Sequence, residues 1–371
     1  MKIIINTTNL RKGGAIQAAS AILEDIKSIV NHEFHVFLSP SMFSNIRNLD
    51  FPEHIYIYKC KYPSKISLLN YDLNRLELSI KPDCVFSVFG PTYWNPISPH
   101  VMGFANGIHL YTDLPFYKKL NFYKKSKKII RRIYHQMLLK GNVEHYIVET
   151  KDVKQRLSSF LNITTNSISV VSNSLHPVFY KKINDLSFLN NHSDNEFKFV
   201  SITSFYDHKN LGVINKLIPL LIKEKIKCKF VLTLPKDVFE KHFDSGSPYL
   251  INIGPINIDA CPYVYDKCDS LFLPTLAECF SVSYLEAMKM GIPILTSDYP
   301  FSRNVCGKAA VYFDPYDMDH ILSSIKKITS DNNFYSSMVK AGKERLKYYP
   351  NSHQRTKKYI DICESITFYD K

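Results

Sequence analysis

Two glutamates with seven residues between them, Glu278 and Glu286, frame the segment of this chain best equipped for chemistry. Glu278 falls in a loop after the apolar run Ser270 to Leu273, and Glu286 lies in a helical pattern that Gly291 stops before the run Ile292 to Ser297. Carboxylates at a strand–loop–helix junction accept hydrogen bonds from sugar hydroxyls, and the amides of Phe280, Ser281 and Val282 at the helix start suit a phosphate. Glu286 also has a structural reading, because Ser283 and Glu286 stand at capping-box spacing.

Other loops offer complementary groups. Gly13 and Gly14 open the first helix, where backbone amides approach a phosphate or simply make a tight turn. The residues after Gly14 lack the further glycine of a dinucleotide fingerprint, which argues against a nicotinamide cofactor. Ser204-Phe205-Tyr206-Asp207-His208-Lys209-Asn210 puts an imidazole and an ammonium after a strand, where the alternative is a solvated lysine beside a helix start. Gly254, Pro255 and Ile256 follow Ile251 to Ile253 as a ligand-facing turn or an ordinary strand end. Gly90-Pro91-Thr92-Tyr93-Trp94 and Gly103 to His109 are aromatic and polar loops suited to an acceptor pocket, with His109 near substrate or a plain loop histidine, and Trp94 a ligand or packing group.

Strands and helices alternate to position these loops. Lys2 to Asn6, Ala15 to Val30 and Phe34 to Leu38 read as β-α-β, continued by strands at Cys84 to Val88, Val101 to Ala105 and His145 to Val148. The rhythm restarts with Phe197 to Thr203, the helix Leu211 to Lys223 and the strands Lys229 to Leu234, Ser270 to Leu273 and Ile292 to Ser297. The expectation is an α/β chain of two doubly wound domains, 1–171 and 197–347, joined by a polar linker at 172–196. A C-terminal helix at 348–371 is expected to pack back on the first domain. The length, 371 residues, accommodates two domains, and 45% hydrophobic with 22% charged residues is ordinary for folded chains.

The segment Glu278 to Pro293, with Ala287-Met288 and Gly291-Ile292-Pro293 inside it, resembles the signature of the family-4 retaining glycosyltransferases (glycosyl transferases group 1) of the GT-B fold. The likeness extends to Lys209-Asn210, to Ser172-Asn173-Ser174 and to Ala309 through Pro315. It implies two Rossmann-like domains facing across a cleft, with a nucleotide-sugar bound mainly by the second. It further implies that Lys209 contacts the donor diphosphate, Glu278 lies near the transferred sugar, Glu286 holds the ribose, the turn at Gly254 reads the base, and His109 sits near the reacting sugar. Two departures stand out. Ser204 replaces the family's usual arginine, leaving His208 or a first-domain cation to supply that charge, and Ser281 replaces its usual glycine.

The chain carries 47 Lys and Arg against 34 Asp and Glu, a net +13, and so favours an anionic partner. Lys118, Lys119, Lys124, Lys125, Lys127, Lys128, Arg131 and Arg132 cluster among aromatic and aliphatic residues in a stretch without acids. A helix there suits an anionic membrane surface, with polyanionic nucleic acid or plain packing as competing roles. No nucleic-acid motif accompanies the run, so nucleic acid is not expected as a partner. The eight cysteines show no zinc or disulfide spacing, no metal site is assigned, and neither a signal peptide nor a spanning helix is expected. Together these imply a cytoplasmic enzyme at the inner membrane face. It would transfer sugar from a nucleotide-sugar to a glycan or polyprenyl-diphosphate-linked acceptor in surface-polysaccharide synthesis, with retention and without metal. The alternatives are a nucleotide-sugar epimerase of the same fold and a basic nucleic-acid-binding protein.

Overall fold

The computed structural model describes residues 1–46, 50–66, 69–183 and 196–368. The linker expected at 172–196 is described only in part, since 184–195 lie outside those residues. The chain divides into two units, Met1–His176 with Pro350–Lys371, and Pro177–Tyr349.

In the first unit the described residues form a parallel sheet of seven strands: β1 (Lys2–Thr7), β2 (Glu33–Leu38), β3 (Ile55–Lys59), β4 (Cys84–Ser87), β5 (His100–Gly103), β6 (His145–Val148) and β7 (Ile168–Val170). Its order is β3-β2-β1-β4-β5-β6-β7. Helices α1 (Gly14–Asp25), α2 (Pro40–Ile46), α3 (Tyr71–Ile80), α4 (Pro115–Lys118), α5 (Phe122–Leu139) and α6 (Lys151–Leu161) connect the strands. Ile3, Ile4 and Ile5 of β1 are all buried, because helices cover both faces of a parallel sheet and its central strand reads as a continuous apolar run.

The second unit repeats the plan. Strands β8 (Phe197–Ser201), β9 (Cys228–Leu232), β10 (Leu250–Asn252), β11 (Ser270–Leu273), β12 (Ile294–Ser297) and β13 (Val311–Phe313) pair in the order β10-β9-β8-β11-β12-β13, all parallel. Helices α7 (Val213–Lys223), α8 (Lys236–His242), α9 (Cys261–Asp266), α10 (Val282–Met290), α11 (Pro300–Cys306), α12 (Met318–Ser330) and α13 (Asn332–Leu346) complete it. In each sheet the first strand of the unit is central, and strand order reverses beside it, between β1 and β4 and between β8 and β11. Such reversal points are where open α/β sheets bind ligands, outside the carboxyl ends of the strands.

Several elements differ from their sequence expectation. The first helix stops at Asp25 and passes into a 3-10 turn over Ile26–Ser28 rather than running to Val30. Strand β5 ends at Gly103, where a Cβ would run into the Val88 carbonyl, so the glycine permits close approach of the two chains. Strands β3, β7 and β13 were not anticipated, the last two only three residues long, whereas β10 is the ordinary strand of the alternative reading at Ile251.

The last helix, α14 (Ser352–Phe368), belongs to the first unit and packs on α1 and β4. Tyr359, Ile360 and Cys363 enter the core beneath β1 and β4, with the Tyr359 and Phe86 rings 5.2 Å apart. Asp25 on α1 accepts hydrogen bonds from Ser352 Oγ at 2.6 Å and Thr356 Oγ1 at 2.7 Å, fixing the register of the helix. Truncating Ile360, which is 3% exposed, to alanine leaves a cavity costing about 2–4 kcal/mol. Amide hydrogen exchange in Ile360→Ala is therefore expected to accelerate in β1 and β4 more than in β8 and β11.

Candidate active site

At the reversal point of the second sheet, the loops after β8 and β11 are tied together through one carbonyl. Leu276 N donates to His208 O at 2.7 Å and Thr275 Oγ1 to the same oxygen at 3.1 Å. The β8 loop closes in a 3-10 turn, Asp207–Lys209, ended by Asn210 at φ +54°. This geometry delivers Lys209 to Glu278, with Nζ donating to Oε2 in an ion pair. The side chains are only 15% and 18% exposed, so Lys209 is not the solvated lysine of the alternative reading. The charge of the ammonium is thus already balanced by Glu278. His208 stacks on Tyr206 with ring centroids 5.5 Å apart, and Ser204 is exposed.

Glu286 is more deeply buried than the pair. Helix α10 is buried nearly all round, and Glu286 is 5% exposed within it. The capping-box reading fails, because Ser283 lies inside the helix and the N-cap is Ser281, whose side chain makes no capping bond. Glu286 Oε2 instead accepts from the Tyr265 hydroxyl at 2.8 Å. Burial raises the Glu286 carboxyl to about 7, against the opposing hydrogen bonds of Tyr265 and Ser283. Tyr265, fully buried on α9 and 6.1 Å from the Phe179 ring, escaped the sequence reading because no motif spacing marks it. Phe280 and Ser281 are buried beside Glu278, and Val282 begins α10.

The turn after β10 is pinned by Asn252, whose side chain exchanges two 2.9 Å hydrogen bonds with the Leu234 backbone. Gly254 follows at φ +76° with no atom within 4 Å of where a Cβ would stand, Pro255 is exposed and Ile256 is half-buried. That turn therefore offers open backbone.

In the first unit, Gly13 caps α1 at φ +73°, and a Cβ at Gly13 or Gly14 would meet nothing within 4 Å. The left-handed φ at Gly13 accounts for a glycine there, and both positions present bare backbone. Asn9 Nδ2 donates to Phe89 O at 2.7 Å and Pro91 O at 3.0 Å, joining the loops after β1 and β4. Trp94 is a packing anchor, 1% exposed, with its indole N–H on Asn74 Oδ1 at 2.8 Å. His109, expected in an open loop, is 5% exposed at the end of a 3-10 turn, with the His135 ring 4.6 Å away. Burial lowers His109 to about 3 and His135 to about 4, and nearby arginines add to both shifts. Both imidazoles are thus neutral near pH 7.

Residues 183–345 match the family model described as "Glycosyl transferases group 1". The second unit is a glycosyl transferases group 1 domain. Over 223 residues the chain is 25% identical to the O-antigen chain mannosyltransferase RfbU of Salmonella typhimurium, covering 58% of each. It is 27% identical over 97 residues, 26% of each, to O-antigen chain mannosyltransferase B of Escherichia coli. The chain thus matches about half the length, or less, of these curated relatives. Among solved structures, Anabaena Alr3699/HepE in complex with UDP and glucose superposes with TM-score 0.71 at 12% identity, over 98% of this chain and 100% of that one. WaaG, a glycosyltransferase involved in lipopolysaccharide biosynthesis, gives TM-score 0.72 at 12% identity, over 98% and 99%. The fold is the two-Rossmann GT-B architecture expected from the sequence.

Within the glycosyl transferases group 1 domain, one Asp-x-Asp spacing went unnoticed in the sequence, Asp317 and Asp319. Asp317 is the N-cap of α12, its side chain accepting from His320 N at 3.0 Å, and Asp319 lies in the first turn. Among the described residues no group of three or more His, Cys, Asp or Glu is arranged to hold a metal. All eight cysteines are buried free thiols.

Outside that domain, the basic stretch begins with Lys118 and Lys119 at the end of α4 and continues in α5, whose apolar side is outward: Phe122, Tyr123, Ile129, Ile130, Ile133 and Met137 are exposed, while His135 and Leu139 face the core. Lys118, Lys119, Lys124, Lys125, Lys127 and Arg131 are exposed. Two of the eight cations depart from the surface expectation. Arg132 turns inward, Nε donating to His109 O at 2.9 Å with the guanidinium 4.4 Å from the Phe160 ring centre, and Lys128 lies 4.1 Å over Phe116. Among the described residues no helix is long and apolar enough to cross a membrane.

The raised Glu286 carboxyl has a stability consequence. Between about 4.5 and about 7 the folded chain holds a proton that the unfolded chain has lost, so stability falls as pH rises through that window, by about 3 kcal/mol in total. Denaturant unfolding of wild type and Glu286→Gln across pH 4.5–8 is expected to show the variant gaining on wild type up to about pH 7 and holding a constant lead above it.

Proposed function

We propose that the chain transfers a sugar from a nucleotide-sugar to a hydroxyl of a glycan or polyprenyl-diphosphate-linked acceptor, in surface-polysaccharide synthesis of the O-antigen kind. The observation that carries this is the Lys209–Glu278 pair at the strand-order reversal of the glycosyl transferases group 1 domain, with Glu286 buried in the helix that follows Glu278. The O-antigen relatives and the UDP and glucose bound by HepE support the reading.

The largest electrostatic demand in glycosyl transfer is the charge that develops on the leaving diphosphate. Within the second unit, Lys209 and the amides at Phe280 to Val282 meet it, and His208 stands in for the cation that Ser204 does not supply. Glu286 orients the ribose, since an ionised carboxylate accepts from two hydroxyls at once. Glu278 holds Lys209 and faces the transferred sugar. A neutral His109 serves the reacting sugar by hydrogen bonding rather than by charge. No side chain is assigned as a covalent nucleophile. Retention follows from the family resemblance, with the donor phosphate taking the acceptor proton and no metal taking part.

A thermal-shift screen against UDP, GDP, CMP and ADP tests the donor site, because a ligand selective for the folded state raises its melting temperature. One nucleoside diphosphate is expected to stabilise wild type in the presence of chelator. Lys209→Ala and Glu286→Ala should each weaken its binding by at least about tenfold. A salt-sensitive shift with oligonucleotides and none with nucleotides would transfer the chain to the nucleic-acid class. Consumption of the nucleotide-sugar without any acceptor would make it an epimerase.

The outward apolar side of α5 with its lysines supports docking on the inner face of the cytoplasmic membrane. Reversing the charges of Lys124, Lys125, Lys127 and Lys128 to glutamate is expected to abolish sedimentation with phosphatidylglycerol vesicles while leaving the nucleotide shift intact.

A further inference from the structure

The second unit has a groove of about 680 Å³ that takes no part in the site described above, and its volume falls in the range of small-molecule sites, roughly 300–1,000 Å³. Its lining comes from the start of β8, from the residues just before β9 and β11, and from Thr329 in the last turn of α12. It therefore lies at the amino ends of these strands, whereas Lys209 and Glu278 follow the carboxyl ends of β8 and β11.

The lining is charged, in equal measure of both signs. Glu196, Asp266 and Asp269 stand among Lys198, Lys227 and Lys267. The carboxylates are held in place. Asp269 Oδ2 accepts from Lys198 N at 2.7 Å, Asp269 N donates to Lys198 O at 2.8 Å, and the Tyr335 hydroxyl donates to Asp269 O at 3.0 Å. Glu196 pairs with Lys229 at 3.4 Å and Asp266 with Lys267 at 3.6 Å, while Lys227 is exposed and forms no ion pair among the described residues. Half-buried Phe197 and Ile226 add apolar surface, and the Phe197 ring is set by Phe199 at 4.9 Å and Tyr335 at 6.3 Å.

Three ammonium groups against three carboxylates leave no net charge, and the carboxyl end of α12 adds partial negative charge, so a free phosphate or a polyanion gains little here. A polycation gains little either, since the lysines oppose it. Donors and acceptors spread around an apolar patch instead match a neutral ligand dense in hydroxyls, which donate to carboxylates and accept from ammonium groups while the C–H face of a ring covers the apolar side chains.

We propose that this groove binds a neutral oligosaccharide, with Asp266, Asp269, Lys227 and Lys267 meeting its hydroxyls and Phe197 a sugar ring. The site goes beyond the donor-site reading and does not require it. It holds glycan at the end of the second sheet remote from the Lys209–Glu278 pair.

Calorimetric titration of the full chain with mannotriose, maltotriose, cellotriose, spermidine and inorganic phosphate tests the groove. At least one trisaccharide is expected to bind, with spermidine and phosphate at least about tenfold weaker. The double variant Asp266→Ala/Lys227→Ala alters two exposed side chains, and should lose at least about tenfold in affinity for that trisaccharide while keeping the melting temperature and the nucleotide shift of wild type. Lys227→Ala alone should lose affinity in the same sense, and Lys209→Ala should leave it unchanged. Binding of none of the three sugars, unchanged affinity in the double variant, or spermidine or phosphate binding as tightly as the sugar overturns the proposal. Loss of the nucleotide shift in wild type with trisaccharide binding intact strikes the donor-site reading alone.

Discussion

The reversal of strand order beside β8 is the constraint on which the candidate active site depends. Parallel pairing of Ser270 with Phe199 and Leu271 with Val200 brings the carboxyl ends of β8 and β11 side by side, although 69 residues separate Lys209 from Glu278. The Ser201 hydroxyl donates to Phe272 O at 2.5 Å across the same pair, and the His208 carbonyl then ties the two loops together. The two loops that carry the ion pair are therefore held to one another through the His208 carbonyl before any ligand arrives.

Glu286 shows the opposite economy. A carboxyl inside an apolar helix is held against the cost of burial, and Tyr265 and Ser283 relieve that cost only in part. A ribose donating hydroxyl hydrogens to the carboxylate would stabilise its charged form, so nucleotide binding and ionisation reinforce one another there. Tyr265 positions Glu286 rather than touching a ligand, since it is wholly buried and its hydroxyl already points at the carboxylate.

The alternation of strands and helices was legible because parallel strands covered on both faces are short apolar runs, and His145–Val148 and Ser270–Leu273 stand where the residues put them. The three-residue strands β7, β10 and β13 are the last or edge members of their sheets and carry too few residues for a period to show. Glu278, Glu286 and Lys209 were legible as individuals through motif spacing. Their partners were not. The Lys209–Glu278 pairing, Tyr265 beneath Glu286 and His135 against His109 are products of topology, which brings together residues that no local spacing relates. Composition likewise located the basic stretch, but only the packing of α5 decides that Arg132 serves His109 O while Arg131 stays outside.

Two sheets of the same winding present different chemistry at their reversal points. The second offers a balanced lysine–glutamate pair and a buried carboxyl, groups that discriminate hydroxyls and accommodate phosphate without a large net field. The first offers bare glycine backbone at Gly13 and Gly14 and Arg11 stacked on the Tyr62 ring. A duplicated fold thus carries no single ligand preference. The strands fix where a ligand meets the protein, and the loops after β1, β4, β8 and β11 determine which ligand it is. Eight cations stand at 118–132 of the first unit in a stretch without acids, whereas the lysine of the second unit's pair is already balanced by Glu278. That distribution argues for two anionic ligands of different kinds rather than one polyanion tracked along the whole chain.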